Sequence, residues 1–388
     1  MPANPASPQL YVGLMSGTSM DGIDGTLVSF DSHDGITTSV STLGAVSLAF
    51  PDALRSELFA LQISGPNEIE RECIAANALA KLYADCVQEM LKESRIWPEA
   101  VTAIGAHGQT IRHQPARGFT RQINSPALLA ELSGISVIAD FRTRDLAAGG
   151  QGAPLVPAFH QAVFGNPSES RAIVNIGGIA NVTVLPATGE NVSAAASPIL
   201  GFDTGPGNLL MDMWIGIHQG LPYDAGGAWA AGGKIVPALL DQFLQEPFLA
   251  LAPPKSTGRD LFNQEWLDRQ LNLFAAVPAQ DVHATLTAFT AVTIAEAIAL
   301  HAKTASAVYI CGGGAYNTHL RQLLFAALQA EKHPARVETT DILGIRPSHV
   351  EPAAFAWLAS RFCDRLPGNL PSVTGAIGPR ILGALYPA

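Results

Sequence analysis

The sequence predicts an α/β fold made of two related halves. Short apolar runs, typical of buried strands, alternate with longer segments whose apolar residues recur at helical spacing. Two segments, residues 10–30 and 171–185, each have the pattern strand, glycine-containing turn, strand, and residues 174–178 resemble residues 12–17. This similarity indicates an internal duplication. A chain of 388 residues is long enough for two domains.

The predicted elements alternate along the whole chain. Residues 10–15 form a short apolar strand, and residues 23–30 continue as the second strand of a hairpin. Within residues 67–93, apolar side chains share one helical face, namely Ala75, Leu79, Leu82, Cys86 and Met90. Further strands are predicted at residues 101–105, 135–139 and 307–311, and helices at 51–63, 67–93, 127–133, 209–218, 235–244, 262–274, 286–303, 319–331 and 352–365.

Composition and charge narrow the class of protein. Hydrophobic residues make up 48% of the chain and charged residues 14%, as in globular proteins and unlike disordered ones. The net charge of -10 argues against a nucleic-acid partner and against an anionic membrane surface. No C-x-x-C pair occurs among the four cysteines, and the N-terminus lacks the pattern of a signal peptide, so a cytoplasmic protein with reduced thiols is expected.

The turn after the first strand has the composition of an anion-binding loop. Residues 16–22 contain two glycines, two serines and a threonine, so backbone N–H groups can approach an anion closely and hydroxyls add donors. Asp21 adds a negative charge that repels phosphate unless a cation lies between them, and Mg²⁺ is therefore implied. A plain hairpin with a polar turn is the alternative, and turn composition leaves both open.

Asp203 is the sharpest candidate for a catalytic carboxylate. It lies in residues 201–208, whose glycines and proline are unfavourable in a strand, and so an exposed, rigid loop is predicted. Such a loop can hold an acid beside a substrate hydroxyl or a water, as a general base requires. Alternatively, Asp203 caps a helix that starts at Asn208 in an Asx-type turn, and the spacing does not decide between the two.

Two further polar segments follow predicted strand ends, where ligands of α/β proteins collect. The glycines at 312–314 allow a nucleotide base or ribose to lie against bare backbone, and the alternative is a tight turn. His107, Gln109 and Thr110 can hydrogen-bond to a polyol or an amide. The alternative for His107 is a purely structural role.

Charged residues near two other predicted elements leave their roles open. Residues 140–145 contain two carboxylates and two arginines, which either bind a substrate acid or pair with each other. Glu351 either caps the late helix or holds a metal through water. Residues 232–234 resemble the end of a Walker A loop, but Ile235 follows the lysine in place of serine or threonine, and a P-loop is rejected.

Six segments occur here in the order seen in anhydro-N-acetylmuramic acid kinases, a family that the chain resembles from about Tyr11 to its C-terminus. They are residues 13–22, 107–110, 175–181, 202–208, 254–259 and 311–317. Residues 351–359 also resemble the late helix of that family, although Pro352 departs from its pattern.

The resemblance implies the fold of the actin, sugar kinase and heat-shock chaperone superfamily. In that fold two related, ribonuclease H-like α/β domains surround a central nucleotide cleft, and the C-terminal tail commonly returns to the first domain. The first domain would contain residues 1–140 and about 366–388, and the second residues 141–365.

The resemblance also implies roles for single residues. Asp203 matches the base of the family, which activates a water at the anomeric carbon. The residues expected to bind ATP are Ser16, Gly17, Thr18, Ser19, Met20, Asp21, Gly22, Ile23, Asn175, Gly177, Gly178, Gly312, Gly313, Gly314 and Asn317. The residues expected to bind the sugar are His107, Gln109, Thr110, Asn181, Gly205 and Asn208, and those expected to hold Mg²⁺ are Asp21 and Glu351.

The implied reaction uses ATP to phosphorylate the 6-oxygen of 1,6-anhydro-N-acetylmuramic acid while water opens the anhydro ring. The product would be N-acetylmuramic acid 6-phosphate, in the recycling of the cell wall, and the family implies a homodimer. Another member of the same superfamily, such as a carboxylate kinase or an exopolyphosphatase, is the nearest alternative. An ATP-switched binding protein resembling the heat-shock chaperones is the alternative from a different class.

Overall fold

Short apolar runs form the strands of the protein, as the sequence predicts. The computed structural model describes residues 9–17, 20–32, 38–189 and 198–388. The strands are β1 (Leu10–Met15), β2 (Gly22–Ser32), β3 (Thr38–Ala49), β4 (Val101–Ala106), β5 (Gln109–Gln114), β6 (Phe119–Ile123), β7 (Val137–Ala139), β8 (Arg171–Ile176), β9 (Ile179–Leu185), β10 (Leu200–Pro206), β11 (Ala307–Cys311), β12 (Arg336–Thr339) and β13 (Ala384–Tyr386).

Among the described residues, helices lie in half of the connections between consecutive strands. They are α1 (Asp52–Ala60), α2 (Glu68–Ser94), α3 (Pro126–Ser133), α4 (Thr143–Ala147), α5 (Val156–Phe164), α6 (Leu209–Gln219), α7 (Ala228–Ala231), α8 (Pro237–Leu244), α9 (Gln264–Leu271), α10 (Ala279–His301), α11 (Thr318–Ala330), α12 (Val350–Cys363) and α13 (Pro371–Thr374). The chain divides into two units, Met1–Phe164 with Ser348–Ala388, and Gly165–Pro347.

The first unit is built on a sheet with the strand order β13-β7-β4-β1-β2-β3. Strand β1 pairs antiparallel with β2 and parallel with β4, because the chain returns directly in the first case and through helices in the second. Helix α2 packs against β2 and β3 through its apolar face. Of the residues predicted for that face, Leu82 is half-buried and the others are buried: Ala75, Leu79, Cys86 and Met90.

Helix α12 covers the opposite face of the same sheet at very close range. A Cβ atom at Gly13 would lie 1.8 Å from the carbonyl oxygen of Pro352, and one at Gly105 would lie 2.0 Å from the carbonyl oxygen of Phe355. Only glycine permits this approach of helix backbone to strand backbone. The two glycines therefore fix α12, and the residues at its start, beside β1 and β4.

The second unit repeats the plan of the first. Its sheet has the order β10-β9-β8-β11-β12, which corresponds strand by strand to β3-β2-β1-β4-β7. Among these five strands of each sheet, the first two in the chain form an antiparallel hairpin, the third pairs antiparallel with the second, and the other two run parallel to the first. This shared order confirms two related α/β units.

Helix α10 lies in the core of the second unit and packs on β9 and β10. In the described part of the chain it is the one helix whose length and composition would allow it to cross a membrane. Most residues of its most apolar segment are buried inside the unit. Examples are Val282, Leu286, Phe289 and Ile294. Core helices of globular proteins have the same length and composition.

The unit boundaries differ from the domain bounds that the resemblance implies, which lie after residues 140 and 365. The units divide after Phe164 and after Pro347, because α5 and α12 pack with the first unit. Residues 142–157 are rich in glycine and proline, yet they contain helix α4. The buried carboxylate of Asp145 in that helix binds Asn369 and Thr374, which keeps the segment beside the C-terminal part of the first unit.

Candidate active site

In the first unit, the loops that follow β1 and β4 are joined by hydrogen bonds. Ser16 Oγ donates to the carbonyl oxygen of Gly108 at 2.9 Å, and Gln109 Nε2 donates to that of Gly17 at 3.3 Å. Strands β1 and β4 are parallel neighbours, so both loops lie at the carboxyl ends of their strands. The structure thus brings the start of the predicted phosphate loop to the predicted sugar loop.

His107 in the second of these loops is buried and neutral. Two nitrogens of the Arg142 guanidinium, Nε and Nη2, lie 3.2 and 2.9 Å from His107 Nε2. Because a guanidinium only donates hydrogen bonds, Nε2 accepts, and the ring proton belongs to Nδ1. Burial and then the charge of Arg142 hold the pKa of His107 well below its usual value. This residue is therefore a hydrogen-bonding group and not a cation for a phosphate.

The neighbours Gln109 and Thr110 are held from several sides. Gln109 has no exposed surface, and its Oε1 makes no hydrogen bond with any residue that the structure describes. Thr110 Oγ1 accepts from Gln122 Nε2 at 3.1 Å, and the Thr110 carbonyl accepts from Gln62 Nε2 at 3.0 Å. Both residues begin strand β5, whose hairpin with β6 continues the loop.

The remaining residues of the predicted phosphate loop differ in exposure. Met20 and Ile23 are buried members of the first core, so their backbone rather than their side chains faces the loop. Gly22 begins β2, where a Cβ would lie 2.2 Å from the Leu48 carbonyl oxygen. Thr18 and Ser19 lie outside the described residues.

The two residues predicted to hold Mg²⁺, Asp21 and Glu351, both belong to the first unit. The side chain of Asp21 is 70% exposed, and its Oδ1 lies 3.4 Å from Arg55 Nη2. Glu351 lies in the first turn of α12, after the N-cap residue His349, where a negative charge is favourable. Burial lowers the pKa of Arg142 to about 10, and the charge of Glu351 opposes this effect.

These carboxylates suit a cation that is shared with phosphates. Within residues 9–17, 20–32, 38–189 and 198–388, no group of three or more His, Cys, Asp or Glu side chains is arranged to hold a metal. Mg²⁺ that binds with a nucleotide needs only one or two protein carboxylates and keeps several waters. An exposed carboxylate at Asp21 fits that requirement.

In the second unit, Gly177 and Gly178 close the β8–β9 hairpin and contact the start of α6. The carbonyl oxygens of Gly177 and Gly178 accept from the N–H groups of Asn208 and Gly207, each at 2.8 Å. Asn208 Nδ2 donates to the carbonyl oxygen of Ile176 at 3.2 Å. The second predicted phosphate loop and the predicted sugar ligand Asn208 are thus adjacent.

The glycines at 312–314 adjoin the same turn. A Cβ at Gly314 would lie 2.3 Å from Ile176 Cγ2, and one at Gly312 would lie 2.3 Å from Asn175 Oδ1, whereas Gly313 is exposed. Asn175 Oδ1 is buried without a hydrogen-bond partner in the described part of the chain. The structure brings these predicted nucleotide residues together in one unit.

Asn317, also predicted to bind ATP, caps a helix. Its Oδ1 accepts from the N–H of Leu320 at 2.9 Å, as the N-cap residue of α11. A Cβ at Gly227 would lie 2.3 Å from the same Oδ1, so the glycine-rich stretch before α7 packs against this cap. Contact between Asn317 and ATP stays a prediction.

Three polar residues form a single cross-strand row in the second sheet. Asn175 on β8 lies opposite Asn181 on β9, which lies opposite Asp203 on β10. Residues directly opposite each other point to the same face, with Cβ atoms about 5 Å apart. Their neighbours Val182 and Phe202 belong to the core, so the row lies on the other face of the sheet.

Asp203 lies in strand β10, so the prediction of an exposed loop is wrong. Glycine and proline are tolerated there because β10 is an edge strand and its register shifts between Asp203 and Gly205, whose φ is +150°. The alternative of a helix cap is also wrong. Asn208 is the N-cap residue of α6, and Asp203 Oδ2 accepts from the N–H of Thr257 at 2.9 Å instead.

The surroundings of Asp203 shift its protonation toward neutral pH. Burial raises the pKa of Asp203 to about 7, and the Thr257 N–H and the charge of Lys255 oppose this rise. The Lys255 carbonyl accepts from the Asp203 N–H at 3.1 Å, while Lys255 Nζ donates to Phe248 and Leu249 carbonyls at 3.3 and 2.8 Å. A carboxylate that takes up a proton near pH 7 is suited to general-base catalysis.

Sequence reasoning gave no role to several residues that shape these sites. Lys255 and Thr257 lie in the quoted segment 254–259, and Arg142 lies in the segment of paired charges, so both regions carried a signal. Tyr83 carried none, because it occupies an apolar face of a long helix. Its hydroxyl nevertheless lies 3.1 Å from Ser16 Oγ.

Comparisons with known proteins agree over almost the whole chain. A sequence model of the family described as "Anhydro-N-acetylmuramic acid kinase" matches residues 9–388. The "Anhydro-N-acetylmuramic acid kinase" of Paraburkholderia xenovorans (strain LB400) is 55% identical over 379 residues, which are 97% of this chain and 98% of the relative. The protein of the same name from Burkholderia lata is 54% identical over 99% of this chain and 98% of its own.

Solved structures share far less sequence with this chain. The activator of 2-hydroxyisocaproyl-CoA dehydratase from Clostridium difficile, with bound ADPNP, aligns with a TM-score of 0.45 and 12% identity, over 92% of this chain and 97% of its own. A ROK family glucokinase from Streptomyces griseus, in complex with glucose and AMPPNP, aligns with a TM-score of 0.41 and 11% identity. The alignment covers 91% of this chain and 99% of the glucokinase chain.

Proposed function

Because the chain belongs to the anhydro-N-acetylmuramic acid kinase family, we propose that it phosphorylates the 6-oxygen of 1,6-anhydro-N-acetylmuramic acid with ATP. Water opens the anhydro ring in the same reaction. The products are N-acetylmuramic acid 6-phosphate and ADP, which places the protein in the recycling of cell-wall sugars.

The bonds that change define what the protein must supply. Water attacks the anomeric carbon, the bond from that carbon to the 6-oxygen breaks, and the 6-oxygen forms a bond with the γ-phosphorus of ATP as ADP leaves. The water loses one proton, and Asp203 takes it. Because the Thr257 N–H binds Oδ2, we assign Oδ1 of Asp203 as the proton acceptor.

A single observation supports this assignment: a carboxyl group with a pKa raised to about 7 lies at the end of a polar row. A base whose pKa is close to the working pH combines a useful unprotonated fraction with the strength to accept a proton. Asn181, the next residue in the row, is assigned to the sugar beside Asp203. Gly205 follows Asp203 in strand β10, and we assign it to sugar binding as well.

We assign nucleotide binding to glycine-lined backbone in both units. In the second unit the turn at Gly177 and Gly178 adjoins the glycines at 312–314, which supports a shared role for them with ATP. In the first unit residues 16–23 form the other phosphate loop. Phosphoryl transfer requires mainly alignment and charge stabilisation, which backbone N–H groups and a metal provide.

We assign Mg²⁺ to Asp21, with Glu351 as a further carboxylate of the first unit. When bound, the ion neutralises charge on the phosphate oxygens of ATP. The sugar ligands of the first unit are His107, Gln109 and Thr110, of which His107 is a neutral hydrogen-bonding group. Asn208 completes the set from the second unit.

We further propose a cytoplasmic homodimer that binds small molecules. The four cysteines contain no C-x-x-C pair, and Cys86 and Cys311 are buried, which supports a compartment that keeps thiols reduced. The net charge of -10 supports small-molecule partners over nucleic acid or an anionic membrane surface. Sedimentation of the purified protein tests the dimer.

The function is tested by coupled detection of ADP with the purified full-length chain, ATP, Mg²⁺ and the anhydro-sugar. We expect ADP release that depends on the sugar, and a product heavier than the substrate by one phosphoryl group (HPO3) and one water. Acetate and polyphosphate serve as alternative substrates. ADP release with acetate but not with the sugar, release of inorganic phosphate from polyphosphate without a sugar product, or slow ATP hydrolysis stimulated by peptides, would refute the proposal.

A further inference from the structure

Tyr83 lies in helix α2 with no exposed surface, beneath the loop that follows β1. Its hydroxyl is 3.1 Å from Ser16 Oγ, which itself lies 2.9 Å from the Gly108 carbonyl oxygen. Ser16 has one hydroxyl proton and the carbonyl can only accept, so Ser16 donates to Gly108 and Tyr83 donates to Ser16. Burial raises the pKa of Tyr83, so its hydroxyl keeps the proton that it donates.

Two further hydrogen bonds run beside this chain of hydroxyls. Gln109 Nε2 donates to the Gly17 carbonyl at 3.3 Å, and the His107 N–H donates to the Leu14 carbonyl at 3.0 Å. Gly108 lies between them with a φ of +79°, and a Cβ there would lie 2.6 Å from the Ile123 carbonyl oxygen. The loop after β1 and the loop after β4 therefore cannot shift independently.

We propose that Tyr83 is a positioning residue that couples ATP binding to sugar binding through Ser16 and Gly108. The inference rests on the proposed function, which assigns residues 16–23 to ATP and residues 107–110 to the sugar. A ligand that fixes one loop also fixes the other. Bound ATP therefore increases the affinity of the protein for the sugar, and bound sugar increases its affinity for ATP. Such coupling is reciprocal by thermodynamic necessity.

The test measures the Kd of the anhydro-sugar by calorimetry, with and without a saturating non-hydrolysable ATP analogue. We expect the analogue to tighten sugar binding to the wild-type protein at least about fivefold. The ratio compared is the Kd of the sugar without the analogue divided by its Kd with the analogue. In Tyr83→Phe this ratio should fall by up to about fivefold, which corresponds to the loss of one hydrogen bond. The Kd without the analogue should change less than about twofold.

Tyr11→Phe is the matched control. Tyr11 is equally buried, but its hydroxyl donates to Gln9 Oε1 at 2.6 Å, at the other end of β1. This variant should keep the wild-type ratio. Ser16→Ala breaks the same chain from its middle, so adding Tyr83→Phe to Ser16→Ala should lower the ratio no further.

Two results would overturn the inference. They are a wild-type ratio of one, and an unchanged ratio in Tyr83→Phe, which includes an equal loss of sugar affinity with and without the analogue. Both leave the proposed function intact if the wild-type protein still phosphorylates the sugar. A wild-type protein that binds the ATP analogue but yields no phosphorylated sugar refutes the proposed function instead, and the inference with it.

Discussion

Both units have a carboxylate in the cross-strand row at the end of their first hairpin, but the two carboxylates have different neighbours. In the first unit the row runs from Met15 through Asp24 to Ser47. Asp24 Oδ1 accepts from Ser47 Oγ at 2.5 Å. Burial raises the pKa of Asp24, and the hydrogen bond from Ser47 opposes that rise.

In the second unit the corresponding row runs from Asn175 through Asn181 to Asp203. Asn181 lies opposite this carboxylate, and the carboxylate accepts a hydrogen bond from the backbone N–H of Thr257. Burial raises its pKa to about 7. The same strand order thus provides a cross-strand row in each unit, and the neighbouring groups distinguish the two carboxylates. Asp24 is held by the Ser47 hydroxyl, whereas the pKa of Asp203 is raised into the range of a general base.

The largest expected effect follows replacement of the second carboxylate. Asp203→Asn removes the proton acceptor but keeps the shape of the side chain, so kcat with the anhydro-sugar should fall by about 10²- to 10⁴-fold. The Kd of an ATP analogue should stay within about twofold of the wild-type value, because the nucleotide residues are unchanged. Near-normal turnover in this variant would remove Asp203 from the mechanism.

The same substitution should make the protein more stable at high pH. The pKa of Asp203 is raised to about 7 in the folded state, whereas an aspartate in the unfolded chain has a pKa of about 4. Between these two pH values the folded protein keeps a proton on Asp203 that the unfolded protein has lost. Stability from this group is present below about pH 4 and is lost as pH rises through about 7. Asp203→Asn should raise the free energy of unfolding at pH 8 by about 1–3 kcal/mol, and urea unfolding at pH 4 should show no difference.

A smaller effect is expected from the charge beside Asp203. Lys255 lowers the pKa of Asp203, so Lys255→Met should move the acid limb of the pH profile of kcat/KM upward by about half a unit to one unit. Lys255→Arg, which keeps the charge, is the matched variant and should leave the limb in place. A downward shift in Lys255→Met would contradict the electrostatic account.

The smallest effect is expected in the first row. Ser47→Ala removes the hydroxyl that donates to Asp24, and the free energy of unfolding should fall by about 0.5–1 kcal/mol in urea titrations. The pH profile of kcat/KM should not move, because the proposed proton transfer does not involve this row. A shift of that profile would show that the two rows are not functionally distinct.

Local sequence patterns predicted seven of the thirteen strands in the described part of the chain. Strands β1 and β11 have the predicted bounds, since a short apolar run between turn residues is a local signal. Strand β10 was missed because its glycine and proline are tolerated only at a sheet edge, and edge position depends on pairing with β9. Helix α10 starts seven residues before the predicted residue 286, at Ala279.

The candidate site divides in the same way. The order of motifs made Asp203, His107 and the glycines candidates for the site, because these signals are contained in short segments. The roles of Lys255 and Tyr83 depend on contacts between segments that are distant in the sequence. Lys255 is 52 positions from Asp203, and Tyr83 is 67 positions from Ser16. Burial, which sets the pKa of Asp203, is likewise a property of the folded unit.

The pH dependence of kcat/KM for wild-type protein with the anhydro-sugar tests the role of Asp203 most directly. The account predicts that kcat/KM rises tenfold per pH unit below its midpoint and levels off above it, with a midpoint of about 7, since the unprotonated carboxylate is the base. A profile that is flat between pH 5 and 8, or a midpoint near the ordinary aspartate value of about 4, would contradict it.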